Sequence, residues 1–219
     1  ANTVFIAAVA TLVILGAGFV IAYAMRMVPG AVSSVLARMG ALGYAVPGTV
    51  LAISLLVPLA AFDNALDGLM RHWFGISTGL ILSGSGAALV YAYAARFMVI
   101  SSGGIEAGLN KISRSIDETA QTLGARRREV MGMIHLPLLR PALASAALLV
   151  FVDCLKELPA TLLLRPFDFE TLAEASRGTY EDGAIAALLI VAAGLVPIIA
   201  LSRLARPEIA DVADEISRS

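Results

Sequence analysis

The sequence has very little cysteine, histidine and charge. Of its 219 residues, one is cysteine, two are histidine and 15% are charged. The single thiol, Cys154, excludes an internal disulfide and a cysteine-rich metal site, and we assign it to packing. No GxxxxGK[ST] phosphate-binding loop occurs, so the chain cannot bind ATP by that route. We therefore expect no cofactor and no metal site, and the net charge of −1 gives no indication of a nucleic-acid partner.

Apolar residues are in excess, and they lie in long runs. They make up 58% of the chain, and the mean hydropathy is +0.84, whereas a soluble domain is about half apolar and about a quarter charged. A membrane-spanning helix needs about 20 mostly apolar residues. The sequence thus predicts an all-α, polytopic transmembrane bundle of about five spans, with a short surface helix before the second. The spans cover residues 3–25, 42–62, 76–100, 141–158 and 185–204.

The lysines and arginines are distributed unevenly between the two sides of this bundle. Most of them lie around Arg26 and Arg38, in residues 96–140 and in residues 203–219. The positive-inside rule assigns these stretches to the cytoplasm, which places the N-terminus outside and the C-terminus in the cytoplasm. Residues 101–140 are then the main cytoplasmic loop, while residues 63–73 and 159–182 face the outside.

The two histidines indicate that the chain is not an enzyme. His72 and His135 fall on opposite sides of the predicted membrane, so they cannot share a metal or act as a pair. No histidine lies within a predicted span, which argues against a serine-histidine protease inside the bilayer. An intramembrane enzyme or lipid-modifying protein is the alternative from another class, and a structural membrane subunit without cargo is a third.

The cytoplasmic loop carries signals for two short helices. Ser115 and Glu118 form an S-x-x-E capping box, which predicts a helix starting at Ile116. Gly124 predicts its end, because glycine adopts the left-handed conformation without penalty. A second helix is expected over residues 126–136, ending at Pro137. A solvated loop that merely carries positive-inside charge is the alternative to a docking site.

The spacing within this loop resembles a known signature. The pattern EAA-x3-G-x9-I-x-LP is reproduced by Glu118, Thr119, Ala120, Gly124, Ile134, Leu136 and Pro137. Thr119 is the one departure from it, since alanine is usual there. The pattern resembles the cytoplasmic signature of binding-protein-dependent ABC importer permeases of type I. In that family the loop forms coupling helices that sit in a cleft of the ATPase subunit, so the resemblance implies that role for residues 118–124.

A second run is similar to permeases of ferric-iron importers. Lys156–Thr161 reads K-E-L-P-A-T and is followed by Leu164–Phe167 and Thr171–Ala173. Ferric-iron permeases usually carry two such halves in one chain, and this sequence resembles the second half. The chain begins with Ala1 and lacks a secretory signal pattern, so we expect an excised fragment or a processed chain.

These resemblances imply an organisation and a set of partners. The permease domain would cover residues 1–205 and a cytoplasmic tail residues 206–219, in a multi-pass protein of the bacterial inner membrane. Its partners would be a dimer of ABC ATPase subunits, a periplasmic substrate-binding protein, a second permease half, fused or a second copy, and membrane lipid. Ferric iron is the expected cargo; thiamine, phosphonate, polyamines and oxyanions are the alternatives within the class.

Charged residues at the end of the fourth span are candidates for the pathway or its gate. Lys156 can pair with Asp153 at the i, i+3 spacing, which is a purely structural role. The alternative is that Asp153 and Glu157 line the entrance, with Pro159 breaking the helix and Thr161 following the break. A further set of outer carboxylates is expected to contact the binding protein or to lie on an amphipathic surface helix, namely Asp168, Glu170, Glu174, Glu181 and Asp182.

Overall fold

In the computed structural model, residues 2–27, 42–83 and 85–165 are described, together with isolated positions between 30 and 40 and between 188 and 199. Over these residues the fold is helical and contains no strand. The helices are, in chain order, α1 (Asn2–Met27), α2 (Gly48–Phe74), α3 (Gly86–Asn110), α4 (Arg114–Thr122), α5 (Arg127–Val130), a π-helix (Met131–His135), α6 (Leu136–Leu138), α7 (Arg140–Lys156) and α8 (Pro159–Leu164).

Three of the described helices, α1, α2 and α3, are long and apolar enough to cross a membrane. A fourth span results if the bent pair Arg127–Leu138 and Arg140–Lys156, with a 67° angle between its parts, is counted as one. The predicted fifth span at residues 185–204, the tail at 206–219 and the surface helix before α2 lie outside the described residues, as do the outer carboxylates from Asp168 to Asp182.

The boundaries of α2 and α3 correct three predictions. Residues 63–73 are the last turns of α2 rather than an outer loop, and α3 begins at Gly86 rather than at residue 76. Asp63 is fully buried within its helix because the segment after α2 folds back, so that Leu82 N–H and Ser83 N–H donate to its carboxylate at 2.9 and 2.8 Å. Residues 101–110 continue α3 and are not part of the cytoplasmic loop.

The core is built from α1, α3 and α7, which pack against one another. Ile14, Leu89 and Val150 are fully buried in it, one from each helix. Since lipid is as apolar as these side chains, their association rests on close van der Waals packing rather than on burial from water. Helices α2 and α8 pack together at the side of this core through residues that include Ala52 and Leu164.

A second apolar cluster joins the ends of the spans to the segment that follows them. It contains Ala22, Ile105, Leu109, Ile112 and Leu139. These residues come from α1, from α3 and its continuation, and from the start of α7. The cluster therefore fixes the position of the loop that holds the signature residues.

Candidate coupling segment and pathway site

Helix α4 begins earlier than the sequence predicts. Its first residue is Arg114, and Ser113 is the N-cap, with Ser115 N–H donating to Ser113 Oγ at 3.3 Å. The predicted capping box of Ser115 and Glu118 is wrong, because Ser115 lies inside the helix, where its carbonyl accepts from Thr119 Oγ1 at 2.8 Å. Glu118 is exposed on the helix surface.

The end of α4 is where the sequence predicts it. Gly124 has φ of 86°, in the left-handed region. Its N–H donates to Gln121 O, and the N–H of Ala125 donates to Ala120 O, both at 3.0 Å. This pair of bonds is a Schellman motif, which satisfies carbonyls that the helix end would otherwise leave free. The glycine turn after α4 is thus confirmed.

The second predicted helix is present but is not regular. It consists of α5, a π-helical turn and α6, and it continues through Pro137 to Leu138 instead of ending at Pro137. In the π turn, Leu136 N–H donates to Met131 O, five residues back. Proline lacks an N–H and clashes with the carbonyl four residues back in a regular helix. The wider turn directly before Pro137 lets the chain remain helical there.

Only some of the signature residues share one surface. Thr119, Ala120 and Ile134 line a groove of about 300 Å³ between α4 and the π-helix, together with Ser115, Ile116 and Leu123. Leu123 is 83% exposed. The remaining signature residues, Glu118, Gly124, Leu136 and Pro137, are exposed but do not line the groove. The segment from α4 to α6, residues 114–138, is called the knob below. It offers an apolar groove with charged and apolar side chains around it, which suits contact with another protein.

A buried ionic cluster attaches α4 to the spanning helices. Arg26, in the last turn of α1, donates from Nη2 and Nε to Asp117 Oδ2 at 2.8 and 3.2 Å. Arg26 also donates to the carbonyls of Leu109 and Ile112 at the end of α3. His135 Nε2 lies 2.6 Å from Asp117 Oδ1, and its ring is fully buried. An ionised carboxylate only accepts hydrogen bonds, so Nε2 must carry the proton in this contact.

The electrostatics of this cluster favour an ionised Asp117. Burial raises the pKa of its carboxyl, but the hydrogen bonds and positive charge provided by Arg26 and His135 outweigh burial, so the net pKa lies below the ordinary value. Asp117 is thus a fixed negative charge joining α1, α4 and the π-helix. Its side chain is 13% exposed and that of Arg26 is 7% exposed, so solvent screens the pair only weakly.

The candidate pathway carboxylates have different partners. Asp153 pairs with Lys156 at 3.2 Å, as the i, i+3 spacing predicts, and Lys156 is largely exposed. Glu157 has a different partner, Arg96 of α3, whose Nη1 lies 3.3 Å from Glu157 Oε1. The side chain of Glu157 is 7% exposed, and its Oε1 also accepts from Ala160 N–H at 3.4 Å. The structure therefore does not bring Asp153 and Glu157 together as one carboxylate pair.

Pro159 and Thr161 stabilise the chain where α7 is interrupted. Pro159 is the first residue of α8, so it starts this short helix as well as marking the break after α7. Thr161 Oγ1 donates to the carbonyl of Glu157. The buried Tyr93 hydroxyl lies 2.6 Å from Thr161 Oγ1. Because the hydrogen of Thr161 Oγ1 is already donated to the carbonyl of Glu157, Tyr93 is the donor in this contact.

Two helix interruptions meet beside Arg96 and Glu157. Residues 42–45 are helical, Val46 and Pro47 are not, and α2 begins at Gly48; the other interruption follows Lys156. A Cβ added to Gly48 would clash with both Arg96 Nη1 and Glu157 Oε1. Glycine at this position therefore allows the start of α2 to contact the ion pair directly.

The sequence does not identify three of these charged residues as members of a site. The distribution of charge along the sequence groups Arg96 with the cytoplasmic cations, but it lies inside α3, ten residues after Gly86. Its position within an apolar run was a usable signal, because a charge inside a span needs a partner. Arg26 and Asp117 gave no such signal, since a pair separated by 91 residues leaves no local pattern.

Comparison with known proteins agrees with these features. The family model described as "Binding-protein-dependent transport system inner membrane component" matches residues 4–210. The Fe(3+)-transport system permease protein FbpB 2 of Haemophilus influenzae is 29% identical over 173 residues, which are 77% of this chain and 31% of that protein. The molybdenum transport system permease protein ModB of the same organism is 33% identical over 116 residues, 53% of this chain and 48% of that protein.

Two further similarities concern another cargo and the fold. PhnV of Salmonella typhimurium, named for 2-aminoethylphosphonate transport, is 33% identical over 120 residues, covering 51% of this chain and 45% of that protein. The chain thus spans less than half the length of these relatives. The crystal structure of a bacterial ABC transporter that imports alginate superposes with a TM-score of 0.69 at 15% identity, over 94% of this chain and 80% of that one, and so shows a shared fold.

The family match covers almost the whole chain and all of the described helices except the first two residues of α1. It agrees with the resemblance that the cytoplasmic signature indicates. This chain belongs to the family of binding-protein-dependent transport system inner membrane components.

Proposed function

We propose that the chain is one half of the inner-membrane permease of an ABC importer, and that its cargo is ferric iron. A periplasmic binding protein delivers the cargo, and a dimer of separate ATPase subunits drives its movement. A second permease half, fused or a second copy, completes the pathway. The chain itself binds no nucleotide and carries out no covalent chemistry.

The iron assignment depends on one observation, the run K-E-L-P-A-T at Lys156–Thr161. This run is similar to permeases of ferric-iron importers. The similarity over 173 residues to an Fe(3+)-transport permease supports the same assignment. The run also covers the interruption between α7 and α8, and because interrupted helices form cargo sites in many transporters, this position supports the proposal.

The coupling role is assigned to α4 and the glycine turn after it. The exposed Glu118 and the groove containing Thr119, Ala120 and Ile134 provide a surface that fits a cleft in the ATPase. Closure of the ATPase dimer would move α4, and the contacts of Asp117 with Arg26 and His135 would pass this movement to α1 and toward α7. Gly124, Leu136 and Pro137 maintain the shape of the knob.

The pathway role is assigned to residues around the break after α7. Asp153, Glu157, Pro159 and Thr161 are the candidates. Glu157 is the central one, because it is a buried carboxylate at a helix interruption, and such positions form the cargo sites of many transporters. A transporter must release its cargo, so we expect transient contacts rather than a tight site.

The cargo is tested by ATP hydrolysis in the reconstituted importer. Binding proteins loaded with iron, free of iron, or loaded with thiamine or 2-aminoethylphosphonate are added in turn. Iron as cargo predicts stimulation by the iron-loaded protein and none by the others. Stimulation by a different loaded protein would retain the importer class and discard iron, and no response to any of them would contradict the importer assignment.

The coupling surface is tested with Glu118→Lys, with Arg128→Gln as the matched control. Both residues are exposed on the same knob. The charge reversal at Glu118 is expected to abolish uptake while the protein remains in the membrane, and the control is expected to transport normally. Uptake by Glu118→Lys at the level of the control would contradict docking through α4.

A phosphonate or another oxyanion is the second candidate cargo. The relatives named for 2-aminoethylphosphonate and molybdenum transport are 33% identical over 120 and 116 residues, a higher identity than that of the ferric relative over a shorter match. The phosphonate-loaded binding protein in the experiment above, and a molybdate-loaded one added to the series, separate this candidate from iron.

A further inference from the structure

Arg96 is a positive charge inside a membrane-spanning helix. It lies ten residues after the start of the 25-residue helix α3, which at about 1.5 Å per residue places it about 15 Å along the helix. A charge at this depth is costly, and in membrane proteins it usually faces the bundle interior or a wet cavity. The side chain is 21% exposed, so it is neither fully enclosed nor open to lipid along its length.

Its only ionic partner in residues 2–27, 42–83 and 85–165 leaves much of the guanidinium group unused. Nη1 makes one contact of 3.3 Å with Glu157 Oε1, whereas an arginine and a carboxylate can form two parallel bonds. The buried Nε has no hydrogen-bond partner there. The remaining interaction is with the ring of Phe97, whose centroid is 5.8 Å from Arg96 Cζ. A guanidinium group has five donors, so Arg96 retains the capacity to bind an anion.

The carboxylates nearby are already occupied. Glu157 has Arg96 and the Ala160 N–H as partners, and Asp153 has Lys156. A trivalent metal ion entering this region would meet neutralised carboxylates and a guanidinium charge that repels it. An anionic oxygen group would meet the N–H donors of Arg96. It could take the place of the Glu157 carboxylate, which holds Arg96 by a single long contact. The charge arrangement thus favours an anion over a bare cation.

We infer that Arg96 is an anion-binding residue of the translocation pathway, and that Glu157 is its counter-ion when no cargo is present. Cargo then passes as an oxyanion, or as ferric iron still bound to an anionic oxygen ligand, rather than as the bare metal ion. This inference rests on the proposed function, in that the chain must form a cargo pathway. It does not depend on whether iron is the metal.

The position of the two helix interruptions supports this site. The break before Gly48 and the break after Lys156 both adjoin the ion pair. In transporters, interrupted helices provide the places where cargo contacts the middle of the membrane. Because Gly48 has no side chain, the start of α2 lies directly against the Arg96 and Glu157 side chains.

Uptake by the reconstituted importer shows whether the charge of Arg96 or that of Glu157 recognises the cargo. The variants are Arg96→Gln, Glu157→Gln and the double variant, with Lys156→Gln as the control for loss of an exposed cation nearby. The probes are binding protein loaded with ferric iron in citrate buffer and binding protein loaded with 2-aminoethylphosphonate. Arg96→Gln is expected to reduce uptake of both probes at least tenfold, while the control Lys156→Gln keeps most of it. Loss of uptake in Glu157→Gln with retention in Arg96→Gln would overturn the inference and make Glu157 a metal ligand.

The double variant separates recognition from a purely structural ion pair. It contains no unpaired buried charge, so a structural role predicts recovery of uptake to near the wild-type level. Anion recognition predicts that the double variant is as defective as Arg96→Gln alone. Recovery would overturn the inference.

A measurement on the assembled permease without binding protein keeps the result independent of the cargo. Thermal unfolding is compared in citrate, inorganic phosphate and chloride at equal ionic strength. Citrate and phosphate are expected to stabilise the wild type and, more strongly, Glu157→Gln, because its Arg96 has lost the counter-ion. Arg96→Gln is expected to show no difference between the salts. Equal unfolding temperatures in all salts for the wild type and Glu157→Gln would overturn the anion site, whereas failure of iron-loaded protein to stimulate the wild-type ATPase would overturn only the iron assignment.

Discussion

Arg26 and Asp117 form a buried ion pair with Nη2 and Oδ2 2.8 Å apart, and this pair joins the end of α1 to α4, the helix to which we assign coupling. The same carboxylate contacts His135 through its other oxygen at 2.6 Å. One side chain therefore connects the helix that carries the signature residues to a spanning helix and to the π turn.

Replacing Asp117 with Asn should uncouple the importer. The amide removes the negative charge and leaves Arg26 buried with an unpaired charge, which costs about 3 to 5 kcal/mol when a buried pair is broken in this way. We expect stimulated ATP hydrolysis to fall several-fold relative to basal hydrolysis. The exposed Arg128→Gln serves as the control. A ratio of stimulated to basal hydrolysis equal to that of the wild type would contradict the role of this pair.

The same carboxyl predicts how stability depends on pH. The pKa of Asp117 is lower in the folded state than its ordinary value, so in acid the unfolded chain takes up the proton first. The stabilisation is thus fully present above the ordinary carboxyl pKa and is lost as the pH falls through the folded-state value. Thermal unfolding of the wild type and Asp117→Asn should differ by a constant amount near neutral pH and converge in acid. A difference that grows on acidification would contradict this sign.

Gly124→Ala should destabilise the coupling segment through the backbone alone. The position has φ of 86°, and an added Cβ would have no neighbour within 4 Å, so the cost is conformational and about 1 to 2 kcal/mol. Gly132→Ala is the matched control, because that glycine lies in the π-helix and also has open space around its Cβ position. The two variants should differ in unfolding temperature and in ATPase stimulation. Identical behaviour would show that the left-handed turn is not needed.

Gly48→Ala should disturb the intramembrane ion pair. Its Cβ would overlap Arg96 Nη1 and Glu157 Oε1, which are the ends of two flexible side chains, so we expect both to shift and the geometry of the pair to change with little loss of stability. Gly68→Ala lies in the same helix, α2, with nothing within 4 Å of its Cβ position, and is the control. We expect uptake to fall in the first variant and to remain in the second, as measured in reconstituted vesicles at equal protein content. Full uptake by Gly48→Ala would mean that the contact with α2 is dispensable.

Local signals predicted local structure well. Gly124 ends α4, and Asp153 pairs with Lys156, because both features depend on residues a few positions apart. The start of α4 was misplaced because Ser113 and Ser115 are both good caps, and only the folded chain decides between them. The charges in residues 63–73 favour a loop when only the sequence is considered, but Asp63 is buried in α2 by donors from the segment that follows it.

The long-range polar contacts could not be read from one sequence. Arg96 and Glu157 are separated by 61 residues, and the position of Arg26 beside Asp117 depends on how α1 packs against α3. Apolar periodicity identifies spans but does not specify which faces meet. The signature residues indicate the family and the segment to which we assign coupling, whereas the ion pairs that connect this segment and the candidate pathway residues to the spans require the fold.

The most direct test of the central claim is accumulation of radiolabelled ferric iron in vesicles that contain the assembled importer, with iron-loaded binding protein outside and ATP supplied to the ATPase side. ATP-driven import through this chain predicts accumulation that requires both ATP and the binding protein and that is abolished by Glu118→Lys. Accumulation that persists without ATP, or that is unaffected by Glu118→Lys, would contradict the claim that this chain couples ATP hydrolysis to import.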